Sequence, residues 1–155
     1  MESKKDHALV VVNPFVVYIG LAIIASLLQL IVPLTIVPGG LAKGLGCVLI
    51  VVNLLFGIPA IRGMLQAKTS PNPKRPSTTL ILSGIYHRTR NPMYLGLTLI
   101  FVGLITFFQN GWGLVLTPIL VWLITIWVII PEEKYLEEKF GSKYIEYKSC
   151  VRRWI

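Results

Sequence analysis

Charge is scarce in this sequence. Asp, Glu, Lys and Arg together make up 14% of its 155 residues, against about 25% in a typical soluble domain, which excludes a chain built to sit wholly in water. Acid is scarcest, with 7 Asp and Glu against 15 Lys and Arg. The 2 histidines, His7 and His87, are too few for a histidine-based metal site. The 2 cysteines, Cys47 and Cys150, form neither a metal-ligand spacing nor a disulfide framework. No Walker loop occurs and no GxGxxG follows a strand. Only Lys43, near the end of an apolar run, brings charge into one, which counts against an ion pathway or proton relay.

What is abundant is apolar surface, at 54% of residues. The net charge of +8 would suggest a nucleic-acid partner on a soluble chain. On an apolar one, basic residues face lipid head groups or set insertion, so a membrane and no nucleic acid is expected. Four stretches approach the roughly 20 apolar residues that a membrane-crossing helix needs: about 14–32, 41–61, 93–108 and 111–130. Pro33 to Gly40 joins the first two as a turn, and Gln109-Asn110-Gly111 closes the last two into a tight hairpin. The first stretch is read as retained, since its apolar core is too long for a cleaved signal.

Fourteen of the 15 basic residues and all 7 acids lie on one side of these spans. Lys4 and Lys5 precede the first; Arg62, Lys68, Lys74, Arg75, Arg88 and Arg90 fall in the loop 62–92; the rest lie in the C-terminal cap 131–155. The expectation is a single all-α integral-membrane domain with four transmembrane helices, both termini cytoplasmic (N-in/C-in), and a C-terminal amphipathic helical segment at the cytoplasmic face. Pro71, Pro73 and Pro76 forbid a helix in the middle loop. Gly40 and Gly44 form a small-xxx-small pair expected to let helices approach.

Polar residues concentrate in two places, Ser83 to Gly96 entering the third span and Pro131 to Leu136 leaving the fourth. A hairpin of those spans brings the two clusters together at the cytoplasmic face. Asn91-Pro92 reads as a helix start with Asn as N-cap and Pro at N1, whose free amides, with Arg90, suit an anionic group such as a carboxylate. Tyr86 and Tyr94 read equally as interfacial aromatics or as pocket walls. Pro131-Glu132-Glu133 reads as a second helix start with acids in its first turn, and its paired carboxylates suit a cation or ribose hydroxyls. Leu136, Phe140, Tyr144, Tyr147 and Val151 make an amphipathic stripe, read as packing, which Gly141-Ser142 divides into two short helices lying on the membrane.

These residues resemble a family. Leu80 to Gly96, containing Ser83-Gly84-Ile85-Tyr86 and Arg90-Asn91-Pro92-Met93-Tyr94-Leu95-Gly96, is similar to the integral-membrane methyltransferases that include isoprenylcysteine carboxyl methyltransferase and the phospholipid N-methyltransferases. Pro131-Glu132-Glu133, then Leu136, Phe140-Gly141, Tyr144, Tyr147-Lys148 and Val151-Arg152-Arg153, resembles the second half of the same signature. The resemblance implies methyl transfer from S-adenosylmethionine to a lipid or lipid-like acceptor, with the active site facing the cytoplasm. It places Tyr86, Arg90, Asn91, Pro92, Met93 and Tyr94 at the cofactor, with the backbone of Thr78, Thr79, Leu80 and Ile81 and one of Glu132 and Glu133. Asn91 stands where the carboxyl methyltransferases have His, and Ile126 to Ile130 lacks the arginine that meets their substrate carboxylate; both departures favour the phospholipid branch over prenylcysteine. The other readings are isoprenylcysteine-type carboxyl methylation, an NADPH-dependent lipid reductase, against which the short chain argues, and a non-catalytic membrane scaffold. No residue stands out as the catalytic base.

Overall fold

The computed structural model describes residues 7–70 and 76–155. Lys4, Lys5, Pro71, Pro73, Lys74 and Arg75 therefore lie outside the described residues. Those described are helical or irregular, with no strand among them. The helices are α1 (Pro14–Ile31), α2 (Gly39–Gln66), α3 (Pro92–Phe107), α4 (Gly111–Ile124), α5 (Ile130–Phe140) and α6 (Ser142–Cys150), with a short 3-10 turn at Gly84–His87.

Three helices are long and apolar enough to cross a membrane: Pro14–Ile31, Gly39–Gln66 and the continuous rod Gly111–Phe140 formed by α4 and α5. Their exposed faces carry Ile23, Leu27 and Leu30, Val48, Val51 and Leu55, and Val115, Ile119 and Trp122, an apolar exterior suited to lipid. The helix α3 is apolar but has 16 residues, about 24 Å at 1.5 Å per residue. Its neighbour α2 has 28, about 42 Å, so α3 begins well below the end of α2. The second helix also runs past the expected limit at position 61 to Gln66, taking Arg62 out of the loop and onto a helical turn.

Backbones of α2 and α3 approach where both lack side chains. A Cβ on Gly46 would fall 2.7 Å from the carbonyl oxygen of Gly103, and one on Gly103 would fall 2.8 Å from Ile50. Nothing lies within 4 Å of such an atom on Gly40 or Gly44. The small-residue expectation thus holds for the helix but fails for the residues: Gly40 and Gly44 face outward, and Gly46 makes the contact. Further along, the Asn53 side chain, 8% exposed, occupies the space a Cβ on Gly96 would need, 2.6 Å from its Oδ1. The bundle core itself gathers Val17, Tyr18 and Leu21 of α1, Tyr94, Phe101 and Ile105 of α3, and Leu120, Ile124, Val128 and Ile129 of the rod.

Pro131 does not start a new helix, contrary to the reading of 131–155 as a separate cap. The rod continues through it because Thr125–Ile129 widens to a π-turn, closed by the Ile130 N–H on the Thr125 carbonyl. A proline in a helix leaves the carbonyl four residues back without its donor. Here that carbonyl belongs to Trp127, and the N–H of Val11 donates to it at 3.0 Å. On the same turn Thr125 Oγ1 donates to Val121 O at 2.7 Å and accepts from Trp154 Nε1 at 3.2 Å. Buried residues step along the rod as Leu120, Ile124, Val128 and Ile129, and then Glu133, so one side of the rod carries both core and carboxylate. Only the second half of the expected pair of surface helices is separate, α6, set off by Gly141 at φ 57, a left-handed value that glycine adopts freely.

Candidate functional site

Two tight hairpin features bring the polar clusters together. Gln109, at φ 55, turns the chain from α3 into α4, and Asn110 caps α4 by accepting from Gly113 N at 3.0 Å. The beginning of α3 then lies against the α5 part of the rod, where Tyr94 Oη donates to Glu132 Oε2 at 2.9 Å and Arg90 pairs with Glu133 at 2.9 Å.

Between them is a cleft of about 690 Å³, its solvent mouth included. Every residue the sequence reading placed at the site lines it except Thr78: Thr79, Leu80 and Ile81 from the loop, Tyr86 from the 3-10 turn, Arg90 to Tyr94 from the start of α3, and Glu132 and Glu133 from α5. Thr78 instead ties the loop to the end of α2, its N–H donating to Thr69 Oγ1 at 3.1 Å and its hydroxyl to Lys68 O at 3.0 Å. Ser77 N–H donates to Tyr135 Oη at 3.1 Å, fixing the same loop to α5.

The two glutamates, alike in sequence, have different surroundings. Glu133 is 5% exposed and held by two guanidiniums: Arg90 donates through Nε at 3.1 Å, and Arg153 through Nε at 3.1 Å and a terminal nitrogen at 2.7 Å. Arg90 also donates to Lys148 O at 2.8 Å. Arg90 is therefore engaged on all sides and is not the free anion-binding cation that its place before the helix suggested. Glu132 is partly buried, faces the cleft, and has the neutral Tyr94 hydroxyl as its hydrogen-bond partner among the described residues.

Asn91 occupies the N-cap position, but its side chain makes no cap hydrogen bond. Elsewhere in the same chain Asn13-Pro14 shows the ordinary arrangement, Asn13 Oδ1 accepting from Phe15 N at 3.0 Å. Asn91 Nδ2 reaches instead to Arg153 O at 3.0 Å, joined there by the Thr89 hydroxyl at 3.2 Å, while Arg90 N–H donates to Arg152 O at 3.0 Å. Thus the entry to α3 grips the backbone of the C-terminal tail. The N–H groups of Met93 and Tyr94, second and third in α3, have no partner within the helix, and both residues line the cleft.

The other wall comes from residues that the sequence reading took as packing. Tyr144 and Tyr147, with Val151, form a small core against Leu80, Leu136 and Phe140, and Leu136, Tyr144 and Tyr147 also line the cleft. Met64, Thr69, Ser70 and Ser77 complete it. The stripe spacing marked these aromatics as inward-facing, but nothing in it distinguished a core from a ligand wall. Burial pushes the phenols of Tyr86 and Tyr144 above their ordinary value, helped by Glu132 and Glu133 respectively, and that of Tyr147 up to about 12. At neutral pH all three are protonated hydroxyls and not bases.

The sequence model of the phospholipid methyltransferase family matches residues 41–143. Those residues contain α2 from its third residue on, α3, the whole α4–α5 rod and the intervening loop. No curated protein and no solved structure matches the chain.

Proposed function

The chain belongs to the phospholipid methyltransferase family, and from that premise we propose that it moves a methyl group from S-adenosylmethionine to a lipid or other apolar acceptor at the cytoplasmic boundary of the membrane. The observation that carries the proposal is Glu132: a carboxylate in a largely apolar cleft, with a neutral hydroxyl beside it, is incomplete until a cation arrives. Met93 and Tyr94, whose N–H groups lack partners within the helix, line the same cleft, and a helix start of this kind favours negative charge. A carboxylate beside a helix N-terminus suits a zwitterion, which is the form of the amino-acid end of S-adenosylmethionine. The residues present therefore fit the cofactor.

When bound, the cofactor supplies a methyl group already activated on a sulfonium. What remains for the protein is mostly positioning and exclusion of water. Glu132 holds the ammonium group, with Tyr94 fixing the carboxylate's orientation. The Met93 and Tyr94 amides hold the cofactor's carboxylate. Leu80, Ile81, Met93 and Leu136 keep water from the reacting atoms. Glu133 has a supporting part: through Arg90 and Arg153 it fastens the tail to the start of α3.

In this reading α1, α2 and the rod span the bilayer with α3 packed among them, and the surplus of basic residues in the loop and tail, from Arg62 and Arg88 to Lys143 and Arg152, supports the cytosol for the cleft end and both termini. Because α3 is shorter than the roughly 30 Å apolar layer, its cleft end lies at the depth where lipid head groups meet the chains. A soluble cofactor and an apolar acceptor can both reach that depth.

The test is to incubate purified protein in lipid with methyl-labelled S-adenosylmethionine and total membrane extract, and then treat the product with base. Label extracted with lipid that base treatment does not convert to volatile methanol supports N-, O- or C-methylation; label released as methanol indicates a carboxyl ester. Absence of cofactor binding by calorimetry refutes the proposal.

A further inference from the structure

Resting on the cofactor reading above, we infer that Asn91 is a positioning residue: the C-terminal tail draws its side chain off the start of α3 and so keeps the first amides of that helix open for the cofactor's carboxylate. The helices α1, α3 and α4 each follow an asparagine, and two of the three obey the usual capping rule. Asn13 Oδ1 accepts from Phe15 N at 3.0 Å, and Asn110 Oδ1 accepts from Gly113 N at 3.0 Å. These donors are the second residue of α1 and the third of α4. The corresponding donors in α3 are Met93 and Tyr94, and Asn91 bonds to neither.

Local sequence does not explain the difference, since Asn13-Pro14 and Asn91-Pro92 are the same dipeptide at the same place in a helix. What differs is a carbonyl from far along the chain. Arg153 O can only accept, so the carboxamide of Asn91 turns its Nδ2 toward it, at 3.0 Å. The backbone turns as well, with ψ 53 at Asn91 against 126 at Asn13 and 92 at Asn110. Neighbouring groups hold the tail in place: Thr89 Oγ1 donates to the same carbonyl at 3.2 Å, Arg90 N to Arg152 O at 3.0 Å, and the Arg153 guanidinium to Glu133 at 2.7 Å.

Asn91 is 8% exposed and lines the cleft together with Met93 and Tyr94. A cap formed there and a ligand carboxylate would compete for the same donors. Leaving a helix start uncapped gives up stability, and the arrangement is explained when a ligand oxygen takes the place of the cap.

The test compares two neutral replacements in the full chain in detergent, with S-adenosylhomocysteine as probe. Asn91→Ala and Asn91→Ser both lose the Nδ2 donor to Arg153 O, but serine is a good cap and alanine a poor one. Asn91→Ser is therefore expected to melt about 2–4 °C higher than Asn91→Ala and yet to bind the probe about five- to tenfold more weakly than Asn91→Ala does. If Asn91 served only to hold the tail, the two variants would bind alike, or the better-capped serine variant would bind more tightly; either result overturns the inference while leaving the cofactor reading intact. The second arm uses S-adenosylhomocysteine lacking its carboxyl group, which has nothing to compete for the amides, so both variants should bind it equally. A serine deficit that persists with that compound also overturns the inference. Failure of wild type to bind either compound overturns the cofactor reading, and this inference with it.

Discussion

Neutralising the two neighbouring glutamates one at a time should separate stability from binding. Glu133→Gln removes the charge to which Arg90 and Arg153 donate. The side chains of Glu133 and Arg90 are 6% and 8% exposed, and that of Arg153 is 34% exposed. Breaking a buried pair costs about 3–5 kcal/mol because the remaining charge is stranded, whereas a pair as exposed as the Arg153 arm contributes about 1 kcal/mol or less. Glutamine keeps one acceptor oxygen, which offsets part of the loss, so about 2–4 kcal/mol is expected. At about 2–4 °C per kcal/mol for a chain of this size, the melting temperature should fall by roughly 5–15 °C. Tryptophan fluorescence in detergent is a suitable readout because Trp154 sits in the tail that the pair secures. Glu132→Gln keeps an acceptor for Tyr94 and strands no cation, so its melting temperature should stay within about 3 °C of wild type, while affinity for S-adenosylhomocysteine falls about tenfold or more. A Glu133→Gln protein with unchanged melting and lost binding, or a Glu132→Gln protein that melts early and binds normally, would show that the roles have been assigned the wrong way round.

At the α2–α3 contact, Gly46→Ala should cost about 1–3 kcal/mol through overpacking against Gly103, while Gly40→Ala, facing open space, should be neutral or gain up to about 1 kcal/mol of helix propensity; thermal unfolding of the two variants compares them directly. Asn91→Ala removes a grip on Arg153 O and should speed proteolysis of the C-terminal tail while α3 itself stays folded, read by mass spectrometry of the fragments. Since the folded state holds the phenols of Tyr86, Tyr144 and Tyr147 protonated above the value near 10 of an unfolded chain, the stability they contribute is fully present below pH 10. It is lost as pH rises toward about 12, and a melting temperature that rises over that range would contradict the burial of these groups.

The general arrangement was legible in the sequence because long apolar runs and a short polar hairpin leave few alternatives. From those alone, the start of α3 and the end of the rod had to be neighbours, and Tyr94 and Glu132 do meet. The π-turn was not legible: the proline rule reads Pro131 as a helix start, and the continuation depends on Val11 reaching Trp127 from far away in sequence. Spacing identified small residues on α2 but not which of them faced α3, so Gly46 was passed over for Gly40 and Gly44. Nor could it separate Glu132 from Glu133, whose difference comes from Arg153 folding back from the tail. Arg90 looked free for a ligand because its partner lies 43 positions on. The cleft wall of Leu136, Tyr144 and Tyr147 was hidden for another reason: a residue that only packs and a residue that also lines a cleft leave the same mark on a helical stripe.

The shortness of α3 bears on how the rate of such a protein is to be measured. On the proposed placement of the cleft end of α3 at head-group depth, an acceptor that stays in its leaflet arrives by lateral diffusion, and the concentration that governs encounter is a mole fraction in the surface. Adding more vesicles of fixed composition should then leave the rate per protein unchanged. Diluting the acceptor with an inert lipid or detergent, at constant bulk acceptor, should lower it in proportion.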